Sequence, residues 1–151
     1  MRARGPTLLV IEDAPDQAHL VGVTARRVHP GLEVRITNDG REGIAYLEGA
    51  FQDRRSHPVP DLIILDLVMP GADGFDVLAW MGERPEPPEV PVVVLTGSMK
   101  PGDERRCLDL GAVAVHTKPT DLDGLAEVVK RIVKRWIGTG TIIGAHIKEA
   151  G

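Results

Sequence analysis

The chain has one cysteine, Cys107, among 151 residues. An internal disulfide is therefore excluded, and without a CxxC or a His/Cys cluster nothing suggests zinc. No apolar run approaches the roughly 18 residues of a membrane span, and the N-terminus MRARGP lacks the apolar core of a signal segment. The expectation is a cytoplasmic protein with no membrane contact. Basic residues are dispersed apart from KRIVKRW (130–136), and the formal charge is -4, so the electrostatic footprint of a nucleic-acid binder is missing. There is no GxxxxGK followed by Ser or Thr, and no GxGxxG after the first apolar run, which excludes a P-loop and argues against a dinucleotide site. The five histidines (His19, His29, His57, His116 and His146) show no metal-ligand spacing. His29 and His57 lie beside prolines and are predicted to be solvated, and His116 to point outward from an edge strand.

What is present is an alternation of short apolar runs and helical periodicities. A hydrophobic content of 42% with 26% charged residues suits one soluble domain of this length. TLLVIE (7–12) reads as a buried strand, continuous as in a parallel sheet, and DLIILD (61–66) as the central strand, with LEVRITN (32–38), PVVVLT (91–96) and AVAVHT (112–117) as the second, fourth and fifth strands. Between them, helices are predicted from Pro15 to His29, from an Asp39 cap to about Gly49, from Gly74 to about Glu83, and from Pro101 to Leu110 and Gly111. A last helix carries Leu122, Leu125, Val129, Ile132 and Trp136 at spacings of 3 and 4, opened by a Thr120/Asp123 near-capping box. AFQDRRSHPVP (50–60) reads as an exposed loop, and RPEPPEVP (84–91) is too proline-rich for a helix. The fold class is α/β: a doubly wound, five-stranded parallel sheet flanked by five helices. The expected division is an N-terminal extension (1–6), one domain (7–136) and a tail (137–151). The tail is either disordered or docked through Ile142, Ile143 and Ile147.

Four of these strands end in chemistry: Glu12 and Asp13, then Asp66, Thr96 and Lys118. In an open α/β sheet those ends share the rim where ligands bind. Three carboxylates so close need neutralising, and Mg²⁺ is the economical choice. Asp13 and Asp66 would bind it directly, Glu12 through water, and the Val68 backbone carbonyl would complete the set. With Lys118 and Thr96 added, the site suits an oxygen carrying negative charge, as in phosphoryl transfer onto Asp66.

On these residues the chain resembles the bacterial response-regulator receiver domain, a flavodoxin-like fold, over about residues 7–136. The resemblance implies a phosphoryl group passed to Asp66 from a phosphohistidine on a sensor histidine kinase or phosphotransfer protein. It also implies that Glu12 and Asp13 are the acid pair, Thr96 the switch hydroxyl, and Lys118 the lysine before a proline, with the Lys118–Pro119 bond typically cis. Pro70 and Gly74 match the turn after the acceptor strand. Such a protein catalyses its own phosphoryl transfer without being a conventional turnover enzyme.

Three departures from the common pattern stand out. Glu12 replaces a commoner Asp. Val115 occupies the switch position where many receivers carry Tyr or Phe, so an aromatic flip cannot be the output signal. Val68 and Ser98 occupy positions that tune water access to the phosphoaspartate, and Val68 is expected to shield it. The loop FQDRRSHPV before PDLIILDL, the segment VPVVVLTGS and KPTDLDGLAEVVKRIVKRWIG resemble stand-alone receivers associated with phytochrome-type histidine kinases. That likeness implies a homodimer through the fourth and fifth helices and the fifth strand. Trp136 and Ile137 are candidates for its seam, although Trp136 also lies on the core stripe of its helix. With fifteen residues after Trp136, output is expected through phosphorylation-dependent protein binding. Two alternatives stand beside this reading. One is a phosphorylation-independent docking module, and the other an aspartyl-nucleophile phosphohydrolase, disfavoured because Val68 stands where its second acid belongs.

Overall fold

A computed structural model describes residues 5–85 and 89–140, together with two two-residue strands at 142–143 and 146–147. Five parallel strands form one sheet in the order β2-β1-β3-β4-β5: β1 Thr7–Ile11, β2 Glu33–Thr37, β3 Leu62–Leu65, β4 Val92–Thr96 and β5 Ala114–Thr117. The three central strands read TLLVI, LIIL and VVVLT and are buried at every position, as strands covered on both faces must be. The edge strands EVRIT and AVHT are mostly half-buried and carry Glu33, Arg35 and His116.

Alternating side chains divide the core into two layers. Leu9, Ile11, Ile63, Leu65, Val92 and Val94 join the layer of α2 (Gly40–Gln52), α3 (Gly74–Gly82) and α4 (Asp103–Asp109). Leu8, Val10, Leu62, Ile64, Val93 and Leu95 join that of α1 (Pro15–Val28) and α5 (Leu122–Trp136). Trp136 and Ile137 pack against this second layer, which supports the core reading of the tryptophan.

Local chemistry explains most helix boundaries and several departures from expectation. Pro15 opens α1, and Asp39 caps α2 by accepting from the Glu42 N–H at 2.8 Å. However, α2 runs past Gly49 to Gln52. The glycine serves packing there: a Cβ would stand 3.0 Å from the His57 ring. Helix α3 begins with a reciprocal Asp73/Asp76 capping box. Helix α4 starts at Asp103 rather than Pro101, because Gly102 has φ +89 and cannot lie within a right-handed helix. Helix α5 is capped by Asp121, which accepts from the Gly124 N–H at 3.0 Å, instead of by Thr120 and Asp123. Leu122, at the first turn of α5, is 60% exposed and stands outside the buried stripe.

The segment after α2 is not a solvated loop throughout. Pro58 and Pro60 are buried, the Tyr46 hydroxyl donates to the Pro58 carbonyl at 2.7 Å, and His57 sets its ring edge-on to Tyr46 at 5.3 Å. His29 is also half-buried, with Gly140 against its ring. The two short strands Ile142–Ile143 and His146–Ile147 pair antiparallel. Docking by their side chains, residues 1–4 of the N-terminal extension, and residues 86–88 of the proline-rich segment lie outside the described residues.

Gly74 joins fold to site, since its N–H donates to the Leu67 carbonyl at 2.9 Å and a Cβ would stand 2.5 Å from the Asp66 carbonyl oxygen. Gly74→Ala is therefore expected to cost about 1–3 kcal/mol in chemical denaturation. Gly82→Ala, with nothing within 4 Å of the added carbon, is expected to be neutral or stabilising. Equal effects of the two substitutions would refute this account.

Candidate functional site

The sheet register aligns the functional strand ends. Ile11 pairs with Leu65 and with Thr37, and Thr96 pairs with Thr117. One residue further on, ladder bonds continue: the Asp66 N–H donates to the Ile11 carbonyl at 3.1 Å, and the Lys118 N–H to the Thr96 carbonyl at 2.8 Å. The strands thus end level, and Glu12, Asp13, Asp66, Thr96 and Lys118 line one cleft of about 230 Å³ with Val68 and Ser98 at its margin. A larger cleft of about 890 Å³ lies between the end of α2 and the segment after α3, and none of these residues lines it.

Lys118 organises the cleft. Its side chain is about 10% exposed, and its ammonium donates to Glu12 Oε1 at 2.6 Å, to Asp66 Oδ2 at 3.0 Å and to Gln17 Oε1 at 2.6 Å. The other Asp66 oxygen, Oδ1, accepts from the Val68 N–H at 3.4 Å. Thr96 is fully buried, and its hydroxyl oxygen accepts from the Ser98 N–H at 3.4 Å.

Burial pushes the Glu12 carboxyl up to about 7, with the Asp66 charge adding to the rise and the Lys118 hydrogen bond opposing it. Burial likewise works against the charged form of Lys118. Its bonds to Glu12 and Asp66 outweigh this and hold its pKa above the ordinary lysine value. One ammonium shared between two buried acids leaves a surplus of negative charge.

Glu12, Asp13 and Asp66 each offer a carboxylate oxygen, and the three oxygens lie within 4.8 Å of one another, with Asp13 on the exposed side. Hard oxygen donors, surplus negative charge and an open side fit a divalent ion such as Mg²⁺, which binds through few carboxylates and keeps several waters.

Against expectation, the Lys118–Pro119 peptide is trans. The lysine is aimed instead by its backbone bond to β4 and by three acceptors at its tip. Lys118 also reaches Glu12 more closely than Asp66, at 2.6 Å against 3.0 Å. Gln17 was missed. Its signal was position: four residues beyond Asp13, in the first turn of α1. Val68 is 58% exposed, so its side chain stands at the cleft margin rather than covering Asp66. Val115 is half-buried against the α2–α4 core layer. His116 is half-buried on edge strand β5, where burial and then the Arg131 charge lower its pKa.

The sequence matches the family described as "Response regulator receiver domain" over residues 8–130. The chain belongs to that family. As a receiver it is a signalling domain rather than a catalytic enzyme. It is closely related to phytochrome-associated receivers. It is 33% identical over 138 residues to the response regulator Rcp1 of Synechocystis sp., covering 91% of this chain and 93% of that protein. The crystal structure of the phosphorylated cyanobacterial phytochrome response regulator RcpA superposes with a TM-score of 0.80 at 32% identity, covering 91% of this chain and 97% of that one. The Mn²⁺-bound form of Rcp1 superposes with a TM-score of 0.79 at 31% identity, covering 92% and 99%. Among the described residues no helix is long and apolar enough to cross a membrane.

The Glu12 shift has a measurable consequence. The folded carboxyl holds its proton up to about 7, against an ordinary 4.5. The folded state therefore binds more protons across that window, and its stability falls as pH rises through it. In metal-free buffer the melting temperature of the wild type relative to Glu12→Gln is expected to drop between those pH values. A constant difference would refute the shift.

Proposed function

We propose that the receiver accepts a phosphoryl group on Asp66 from the phosphohistidine of a sensor histidine kinase or phosphotransfer protein, in the cytoplasm. The observation that carries this is the buried Asp66 carboxylate, held between the Val68 N–H and the Lys118 ammonium beside two further acids. An Asp66 oxygen forms the new bond to phosphorus as the bond from phosphorus to the donor's imidazole nitrogen breaks. The imidazole leaves with that electron pair and takes up a proton.

Lys118 then stabilises charge on the phosphoryl oxygens, and the Thr96 hydroxyl supplies a further donor. Glu12, Asp13, Asp66 and the Val68 carbonyl would hold Mg²⁺, which supplies positive charge to the same oxygens. Exposed Val68 and Ser98 flank the route by which water reaches the acyl phosphate. The phosphorylated form of RcpA and the Mn²⁺-bound form of Rcp1 support both halves of the reading.

Output is proposed as phosphorylation-dependent protein binding in a phytochrome-type pathway, with pairing of two copies through α4, β5 and α5. Exposed Leu108 and Val113, each 42% exposed, support that face. Val115 directs the signal away from an aromatic rotation.

Incubation with Mg²⁺ and a small-molecule phosphoryl donor, followed by intact mass measurement, is expected to show one added phosphoryl group. It should disappear in Asp66→Asn and form roughly 100-fold more slowly in Lys118→Ala. No adduct from this donor or from a cognate kinase would favour the phosphorylation-independent docking module. Sedimentation analysis is expected to show pairing that Leu108→Asp weakens; an unchanged mass distribution would remove this face from the interface.

A further inference from the structure

The ammonium of Lys118 has three N–H donors, and Glu12, Asp66 and Gln17 together account for all of them. An ammonium can only donate, so the amide of Gln17 must present its oxygen. That contact, at 2.6 Å, is as short as the one to Glu12 and shorter than the 3.0 Å contact to Asp66. Gln17 is half-buried and lines the same cleft. It is the third residue of α1, whose start is held by Pro15 and by the bond from the Ala18 N–H to the Ala14 carbonyl at 2.9 Å. Its reach toward Lys118 therefore starts from a rigid point.

Gln17 differs from the other two acceptors in carrying no charge. A carboxylate or phosphoryl oxygen attracts an ammonium more strongly than an amide oxygen does. When a new anionic oxygen enters the cleft, the Gln17 bond is the one that lysine exchanges at least cost. Before that, the amide keeps the third N–H satisfied on a lysine that is about 10% exposed, and prevents it from folding wholly onto the two acids.

We infer that Gln17 is a positioning residue for phosphoryl transfer to Asp66, holding the Lys118 ammonium in place until a phosphoryl oxygen takes over its bond. This rests on the acceptor role proposed for Asp66.

Three proteins test it: wild type, Gln17→Met, which keeps length without a comparable acceptor, and Gln17→Glu, which keeps the reach but makes the acceptor charged. At saturating Mg²⁺, phosphoryl addition from a small-molecule donor is expected to slow about tenfold in Gln17→Met, as for loss of one hydrogen bond to a charged group. Mg²⁺ affinity and melting temperature of Gln17→Met should stay near wild type, and Gln17→Glu, whose carboxylate does not yield the ammonium as readily, should also stay slower than wild type. In unphosphorylated, ¹⁵N-labelled protein, the Lys118 ammonium should exchange with water faster in Gln17→Met. A wild-type rate in Gln17→Met overturns the proposal. So does a slow rate accompanied by a lowered melting temperature, which marks a merely structural role, or a wild-type rate in Gln17→Glu, which shows that an uncharged acceptor is not what the site uses. If wild type takes no phosphoryl group, the acceptor reading falls, and with it the reaction role of Gln17. The ammonium exchange then separately decides whether Gln17 holds Lys118 at all.

Discussion

The site depends on one shared charge. Lys118 is nearly buried and is held by two carboxylates and an amide at the end of the sheet. Removing one partner from such a buried ionic cluster typically costs about 3–5 kcal/mol, because the remaining charge is left uncompensated. Burial, with the Asp66 charge adding to it, pushes the Glu12 carboxyl up to about 7 even though the Lys118 bond opposes the rise. Negative charge, a cation-sized gap between oxygens and a cation that must choose among acceptors have one source: too few positive charges at a crowded strand edge.

The rest of the fold keeps that edge level. Continuous apolar strands bury on both faces, and their register ends β1, β3, β4 and β5 together. Gly74 allows α3 to approach the backbone just beyond Asp66, and the Asp73/Asp76 box fixes where that helix begins. On the same side of the sheet, the Arg106 guanidinium lies 3.9 Å from the centre of the Phe75 ring and ties α4 to the start of α3. Among the described helices of the main fold α4 is the shortest, at seven residues, and only Cys107 of it is buried.

Much of this was legible in the chain. Parallel strands covered on both faces need unbroken apolar runs, so TLLVI, LIIL and VVVLT announced themselves, with the acids and the hydroxyl at their ends; the ammonium stands at the end of the edge strand β5. Helix limits were less legible, because Gly49 and Pro101 carry stop and start signals that packing and the backbone overrode: Gly49 faces the His57 ring, and Gly102 takes a left-handed turn. The segment after α2 looked solvated from its polarity, yet Tyr46 and His57 fasten it down.

By itself the sequence determined the order of strands and helices, the α/β class and the strand ends that carry chemistry, since these depend on local pattern and on the period of burial. Only the tertiary structure decided how Lys118 distributes its three donors. Residues 12, 17, 66 and 118 meet through sheet register and the placement of α1 against β1, and hydrogen-bond sharing among them is set by ångström differences that no spacing in a linear chain encodes.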